Sequence, residues 1–298
     1  MRTGFKLIFV FILIFTISFG CAKNPEVMNE NTKEEIQTGQ TGDLVQMPGM
    51  GTRWKEVTHE DVASIAASSW GLSSARVAEI EKASTMPDLY QSKIDNGYNQ
   101  QWSHAYIYNF LKVWEWGDAD DDFHDNINGD SGELESPESY NKKWAGYYYQ
   151  RGDQKKGDWF LGYAIHFIED VNLVVHTSDP LFKPSIVTRH KDFEKWVQNN
   201  LNQGHNLISA VKNDSYYYRV TDLKAAVRTS AKNSSYWTSS LGKKVWSAYK
   251  KDNWPTKTGT GSSDLVKYTR EMLRNAGRWA KGTIKYTLDK YGQWSNKY

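Results

Sequence analysis

The sequence predicts an all-α protein whose helices form a single compact multi-helix domain. Apolar residues recur at helical spacing over several long stretches, and no segment shows a convincing strand-like alternation of apolar and polar residues. Residues 54–298 contain no long linker and no internal repeat. Short strands around residues 216–218, three consecutive tyrosines, are the one alternative to a fully helical domain.

The first two helical stretches lie on either side of an acidic segment. Residues 58–69 open with Thr58 and, three residues later, Asp61, which is a capping-box-like start. Residues 118–130, "DADDDFHDNINGD", do not follow the spacing of a calcium-binding loop and are expected to form a solvated loop. Residues 159–171, "WFLGYAIHFIEDV", are apolar on most sides, as expected of a central buried helix.

Two further stretches complete the helical pattern. Residues 190–201 place three apolar residues on one stripe: Phe193, Val197 and Leu201. Residues 265–292 read as a long amphipathic helix that ends near its final glycine, Gly292.

The N-terminal residues 1–21 have the layout of a signal peptide. Arg2 and Lys6 precede an apolar run at residues 7–17, and small residues surround Cys21. The run is well short of the ~20 residues that a membrane-spanning helix needs. Cys21 is the only cysteine, and its surroundings resemble the lipobox of bacterial lipoproteins; an ordinary secretory signal is the alternative. Both interpretations predict export.

Residues 22–53 differ sharply in composition from the rest of the chain. They contain no Phe, Trp or Tyr, whereas the whole chain is 14% aromatic. Such a stretch buries too little apolar surface to fold, so we expect a disordered spacer or propeptide and a folded domain at residues 54–298. The net charge of +2, from 37 basic and 35 acidic residues, gives no electrostatic reason to expect nucleic acid as a bulk partner.

Good metal ligands occur within "HFIEDVNLVVH", residues 166–176. His166 and Asp170 are four residues apart, so on a helix both side chains lie on one face, which suits two ligands of one metal. His176 would lie ~80° off that face and ~15 Å along the axis of a continuous helix. It is therefore expected to serve another metal or to lie past the helix end. His190 and Glu194 form a second pair with the same four-residue spacing.

A lone histidine on an apolar face is more often a core residue, and His124 and His205 keep that interpretation. The pair of His166 and Asp170 is different, because burying both side chains without partners would cost on the order of several kcal/mol. A zinc ion is a partner for both. The residues alone therefore support a polynuclear zinc hydrolase. Further candidate ligands lie upstream in the chain: His59, Asp88 and His104.

The segment "GDWFLGYAIHFIEDVNLVVH" resembles the core motif of the bacterial zinc-dependent phospholipases C. That family includes the phosphatidylcholine-cleaving enzymes of bacilli and the clostridial alpha-toxins. The motif is matched by His166, Asp170, Val171, Asn172 and His176. The similarity extends over nearly all of residues 54–298, with Val174 standing where the family has proline.

The resemblance implies the helical fold shared by zinc phospholipases C and single-strand nucleases, and a cluster of three zinc ions. The family's ligand set carries over as Trp54, His59, Asp88, His104, His166, Asp170, His176 and Glu194. In that set Asp170 bridges two metals, and the first ligand is the free amino terminus created by cleavage. We take Asp88 as the candidate base on the attacking water.

The implied activity is hydrolysis of a phospholipid to diacylglycerol and a phosphorylated headgroup at a membrane surface. The expected protein is a monomer, binds no nucleic acid, and is activated by a protease that cuts after Arg53. It would then be secreted, after lipid anchoring through Cys21 if the lipobox holds. One rival is a single-strand-specific zinc nuclease, whose motif reads closer to Asp-Ile-His-Gln-Pro-Leu-His. The other is a surface lipoprotein that binds lipid or carbohydrate through its 13 Trp and 18 Tyr, with zinc as a structural staple.

Overall fold

The described part of the chain is mostly helical and contains one pair of two-residue strands. The computed structural model describes residues 56–88, 107–108, 115–116, 119–129, 144–177, 184–235 and 240–295. The all-α class is therefore confirmed. The chain divides into two units, Met1–Met47 and Pro48–Tyr298, and every described residue falls in the second. The boundaries predicted at residues 21 and 53 lie outside the described residues and stay predictions.

The elements follow one another in this order. The helices are α1 (Glu56–Ser68), α2 (Ser74–Ala83), α3 (Ala119–Asn128), α4 (Ala145–Gln150), α5 (Gln154–Asp170), α6 (Val174–Thr177), α7 (Pro184–Leu201), α8 (Ser209–Lys212), α9 (Leu223–Ser234), α10 (Ser240–Lys251) and α11 (Ser263–Tyr291). The strands are β1 (Ile107–Tyr108) and β2 (Glu115–Trp116), which pair antiparallel with Ile107 opposite Trp116.

Helix α5 lies between two apolar clusters, so it is buried on most sides as predicted. Its N-cap residue Asp153 accepts a hydrogen bond from the backbone N–H of Lys156 at 3.2 Å. Leu161 and Ile165 pack into a cluster with residues of α1, α7, α10 and α11. Phe167, on the other side of the helix, packs into a second cluster with residues of α3 and α9. This burial fixes the position of the C-terminal turn of α5.

Helices α2 and α5 approach each other closely. Gly162 faces the backbone of Ile80, and a Cβ at that position would clash with the Ile80 carbonyl oxygen. Arg76 of α2 is fully buried and donates from Nε and Nη2 to the two carboxylate oxygens of Asp158, at 2.8 and 2.6 Å. The close approach places the end of α2, at Ser84, beside the C-terminal half of α5.

Two of the predicted helices have the features expected from the sequence. The stripe on α7 is buried, with Phe193, Val197 and Leu201 each at most 1% exposed. Helix α11 ends at Gly292, whose φ of 65° is the left-handed conformation that glycine adopts at a helix C-terminus. Within the described ranges, no helix is both long and apolar enough to cross a bilayer.

Two predictions about local structure are wrong. Helix α1 begins at Glu56, so Thr58 is not its cap; the side chain is 1% exposed because tertiary packing holds the first turn. The acidic segment is not a solvated loop, since residues 119–128 form α3. Its Phe123 and Ile127 lie four residues apart on the buried face, and Asp120 accepts a hydrogen bond from Arg228 at 2.8 Å.

No strand forms at residues 216–218, so that alternative is also wrong. The backbone N–H of Tyr218 donates to the carbonyl of Arg278 in α11, at 3.2 Å, instead of to a neighbouring strand. Gly282 permits this approach, because a Cβ there would clash with the carbonyl oxygen of Tyr218. The extended segment is therefore held against a helix and needs no strand partner.

Candidate metal centre

Imidazole and carboxylate groups from separate segments meet at the C-terminal end of α5. Their sources are His59 in the first turn of α1, Asp88 just after α2, His166 and Asp170 at the end of α5, His176 in α6, and Glu194 in α7. In three of them, His59, His166 and Asp170, one potential ligand atom per residue lies within 4.8 Å of the others, and all three side chains are buried. The cluster is thus assembled by tertiary structure from residues up to about half the chain apart.

His176 reaches the cluster because the chain turns after α5. The helix ends at Asp170, and the backbone N–H of Leu173 donates to the Asp170 carbonyl at 2.8 Å before α6 begins. The Nε2 atom of His176 then lies 3.7 Å from Asp170 Oδ1 and 3.8 Å from Glu194 Oε1. Of the two alternatives for His176, the position past the helix end is the one found.

The hydrogen bond of His166 fixes which of its ring nitrogens is available as a ligand. Nδ1 lies 2.7 Å from the backbone carbonyl of Ser84, which can only accept, so Nδ1 carries the proton. In the neutral ring, Nε2 therefore has a lone pair. It lies 3.1 Å from Asp170 Oδ2 and 3.6 Å from Asp88 Oδ1.

The Nδ1 atom of His59 also faces an oxygen acceptor, here the carboxylate of Glu169. His59 Nδ1 lies 2.6 Å from Glu169 Oε2, and His59 Nε2 lies 3.4 Å from Asp170 Oδ1. The ring stacks on that of His166, with the centroids 4.1 Å apart and the planes inclined by 30°. Both imidazoles therefore present Nε2 to opposite oxygens of one carboxylate, Asp170.

The spacing of these atoms is compatible with ligands of a shared metal. Zinc bonds to nitrogen and oxygen of ~2.0–2.2 Å imply about 3.3–3.6 Å between two ligand atoms of a tetrahedral site. The nitrogen-to-oxygen distances from His59, His166 and His176 to Asp170 are 3.4, 3.1 and 3.7 Å. Imidazole and carboxylate are also the donor types that zinc prefers. The residues present thus fit a zinc ion.

The electrostatics of the cluster call for additional positive charge. Burial raises the pKa of Glu194 to about 8, although His176 acts in the opposite direction. Burial also raises the pKa of Glu169 to about 7, opposed by His59. Burial lowers the pKa of His59, but Asp170 and Glu169 outweigh it and the net pKa is well above the usual value. A divalent metal ion bound here would favour the ionised form of these buried carboxylates.

The sequence-predicted ligands divide into two groups. The structure brings His59, Asp88, His166, Asp170, His176 and Glu194 together, whereas Trp54, His104 and the side chain of His190 lie outside the described residues. His205 keeps its structural interpretation, since its Nε2 lies 2.9 Å from the carbonyl oxygen of Thr260. His124 does too, with its Nδ1 2.9 Å from Asp125 Oδ1.

Glu169 was not predicted from the sequence. The available signal was a second carboxylate directly before Asp170, within an otherwise apolar turn. Nothing in the sequence says that His59, 110 residues earlier, lies against it.

Comparison with known proteins finds matching solved structures but no family. No protein-family model matches the chain, and no curated protein matches it. Among solved structures, the alpha-toxin of Clostridium perfringens avian strain SWCP is 16% identical, with a TM-score of 0.41 over 82% of this chain. The alpha-toxin of Clostridium absonum is 14% identical, with a TM-score of 0.42 over 81% of this chain. The match spans 65% of the length of each toxin, less than two thirds.

Proposed function

We propose that this protein is an exported, zinc-dependent phospholipase C that hydrolyses phospholipids to diacylglycerol and a phosphorylated headgroup. The observation that carries the proposal is the convergence of three imidazole Nε2 atoms on the Asp170 carboxylate, at 3.1–3.7 Å. Two of these imidazoles and the carboxylate belong to the segment at residues 166–176, which resembles the phospholipase motif. A structural staple for one zinc would not need so many donors.

The donor set suits more than one divalent cation. Asp88, Glu169, Asp170 and Glu194 together carry up to four negative charges, which two divalent ions would balance. His59, His166 and Asp170 would be ligands of one metal ion. His176 and Glu194 would supply ligands for a second. The third zinc implied by the resemblance would need Trp54 and His104. When bound, zinc polarises phosphoryl oxygens and acidifies water at neutral pH.

Asp88 is suited to accept the proton of the attacking water. Its side chain is 15% exposed, whereas those of Asp170 and Glu194 are 0% and 1% exposed. A carboxylate at the edge of the cluster can take a proton from water and release it to solvent, which a fully enclosed carboxylate cannot do easily. The water oxygen then bonds to phosphorus as its proton passes to Asp88, the bond from phosphorus to the diacylglycerol oxygen breaks, and the leaving alkoxide takes a proton from solvent water.

Export and activation are part of the same proposal and are supported by sequence pattern alone. Residues 1–21 direct export, with anchoring through Cys21 if it is lipidated. Cleavage after Arg53 frees the α-amino group of Trp54, which can bind metal once it loses its proton. The protein then acts as a monomer on phospholipid at a membrane surface.

One assay separates this proposal from its rivals. Purified zinc-loaded protein is incubated with phosphatidylcholine, phosphatidylethanolamine, sphingomyelin and single-stranded DNA, with and without a chelator. We expect chelator-sensitive release of diacylglycerol and phosphorylated headgroup from a glycerophospholipid. Cleavage of DNA alone would make the protein a nuclease, and turnover of no substrate would favour the binding-protein alternative; either result overturns the proposal.

A further inference from the structure

Glu169 contacts the ring edge of His59 that faces away from the ligand cluster. Its Oε2 lies 2.6 Å from His59 Nδ1, and the two side chains are 1% and 0% exposed. Its other oxygen, Oε1, has no hydrogen-bond partner among the described residues. A carboxylate is costly to bury, so the single short contact to His59 is the interaction that accounts for its place in the core.

Glu169 and Asp170 hold the His59 ring from both sides. Asp170 Oδ1 lies 3.4 Å from Nε2, while Glu169 Oε2 lies against Nδ1. The ionised carboxylate only accepts hydrogen bonds, so it selects the ring form that carries the proton on Nδ1 and leaves the Nε2 lone pair for a metal. The His166 ring stacked at 4.1 Å restricts the remaining tilt of the imidazole.

We infer that Glu169 is a positioning residue that orients His59 for metal binding and increases the metal affinity of the position His59 serves. Outer carboxylates of this kind fix the ring form of a ligating histidine and raise its basicity. His166 is oriented by a backbone carbonyl, Ser84 O at 2.7 Å, which truncation of the Ser84 side chain does not remove. A substitution at Glu169 can therefore change the orientation of His59 without removing a ligand from the described cluster.

This inference rests on the metal-binding part of the proposed function and not on the substrate. Its test is therefore zinc binding, measured as zinc per chain in protein equilibrated with chelator-buffered zinc. Loss of an outer carboxylate typically costs ~10–100-fold in metal affinity. For Glu169→Ala we expect one class of bound zinc to be weakened by about that factor, while the other zinc stays bound as in the wild type. Glu79→Ala is the matched control, since Glu79 is only partly exposed, at 19%, and its contact to Lys155 at 3.9 Å lies outside the ligand cluster.

A double-mutant comparison distinguishes positioning from a general effect on stability. His59→Ala should weaken the same zinc class, and adding Glu169→Ala to it should cause no further loss, because the carboxylate acts through that ring. Effects that simply add would overturn the inference. So would a Glu169→Ala protein with wild-type zinc affinity, whatever its unfolding midpoint.

A second variant keeps the test informative if Glu169→Ala does not fold. Glu169→Gln retains an oxygen that can accept from His59 Nδ1 but loses the charge, so we expect an intermediate loss of affinity with the ring form unchanged. The nitrogen chemical shifts of His59 report that form directly, with Nδ1 protonated in the wild type and in Glu169→Gln. A wild-type His59 that carries its proton on Nε2 would overturn the inference. Absence of phospholipase activity would leave these zinc measurements unaffected and would count only against the proposed substrate.

Discussion

Asp170 uses both carboxylate oxygens in the cluster, which makes it the residue with the largest expected effect. Oδ1 faces His59 and His176, at 3.4 and 3.7 Å, and Oδ2 faces His166 at 3.1 Å. A change at Asp170 therefore affects every imidazole that the described cluster contains. A change at one histidine removes a single ligand atom.

At this residue scale, we predict that Asp170→Asn removes zinc and activity together. An amide NH₂ cannot ligate a metal, so one of the two oxygen positions is lost. Loss of an outer residue alone costs ~10–100-fold, and we expect loss of this ligand to cost at least about 100-fold in the hydrolysis rate. The measurements are the rate of headgroup release and zinc per chain. His205→Ala is the control, since the contacts it removes, to the Thr260 carbonyl and the Trp196 ring, lie outside the ligand cluster; similar activities in the two variants would contradict the assignment.

At the scale of elements, the site depends on how α2 packs against α5. The carbonyl of Ser84, at the end of α2, fixes the ring of His166, at the end of α5. This contact requires the close approach at Gly162 and Ile80. Helix packing at Gly162 thus determines which ring nitrogen of His166, about one turn further along α5, carries the proton.

We predict that Gly162→Ala lowers both stability and zinc affinity. The added methyl group must push α2 away from α5, and overpacking of this kind costs about 1–3 kcal/mol of unfolding free energy. Denaturant unfolding measures the first effect and chelator competition the second. Gly152→Ala is the control: its φ of 77° makes alanine unfavourable, but nothing lies within 4 Å of the added Cβ. Equal zinc affinity in the two variants would show that α2 does not orient His166.

Element by element, the sequence was informative where a pattern is local. The period of apolar residues predicted α5, α7 and α11, because each buries a continuous face. Four-residue spacing likewise paired His166 with Asp170. The start of α1, the helix at the acidic segment and the role of Glu169 were missed, since each depends on a contact with a residue far away in the sequence. Asp120, for example, is paired with Arg228 across 108 residues, and no local rule contains that information.

At the scale of the whole molecule, the candidate site lies where α1, α5, α6 and α7 come together. A metal bound there would link these helices through ligands that they share. Zinc should therefore bind the folded state much more tightly than the unfolded chain, and its binding free energy adds to the stability of the fold.

We predict that zinc raises the midpoint of thermal unfolding in a saturable manner. A ligand at 100 times its dissociation constant stabilises the folded state by about 2.7 kcal/mol per site. Scanning calorimetry of protein stripped of metal by a chelator, repeated at increasing zinc concentrations, measures the shift in the unfolding midpoint. Magnesium, which prefers an all-oxygen octahedral site, should give little shift with a donor set that includes three imidazoles. An unchanged midpoint with zinc, or an equal shift in Asp170→Asn, would contradict a metal centre at this position.

The last prediction concerns the bond between Arg53 and Trp54. A tryptophan within a chain offers a metal only an amide nitrogen, which keeps its proton, whereas a free α-amino group with a pKa of ~7.7–8.0 can bind once deprotonated. The preceding segment is polar, lacks aromatic residues and ends in arginine, which suits a trypsin-like protease. We expect Arg53→Ala to leave an uncut, weakly active precursor, and Arg53→Lys, which such a protease still accepts, to give full activity. N-terminal sequencing of the exported protein, together with the hydrolysis rate, tests this: the active wild type and Arg53→Lys should both begin at Trp54, and full activity from a chain that still begins at Cys21 would refute the activation step.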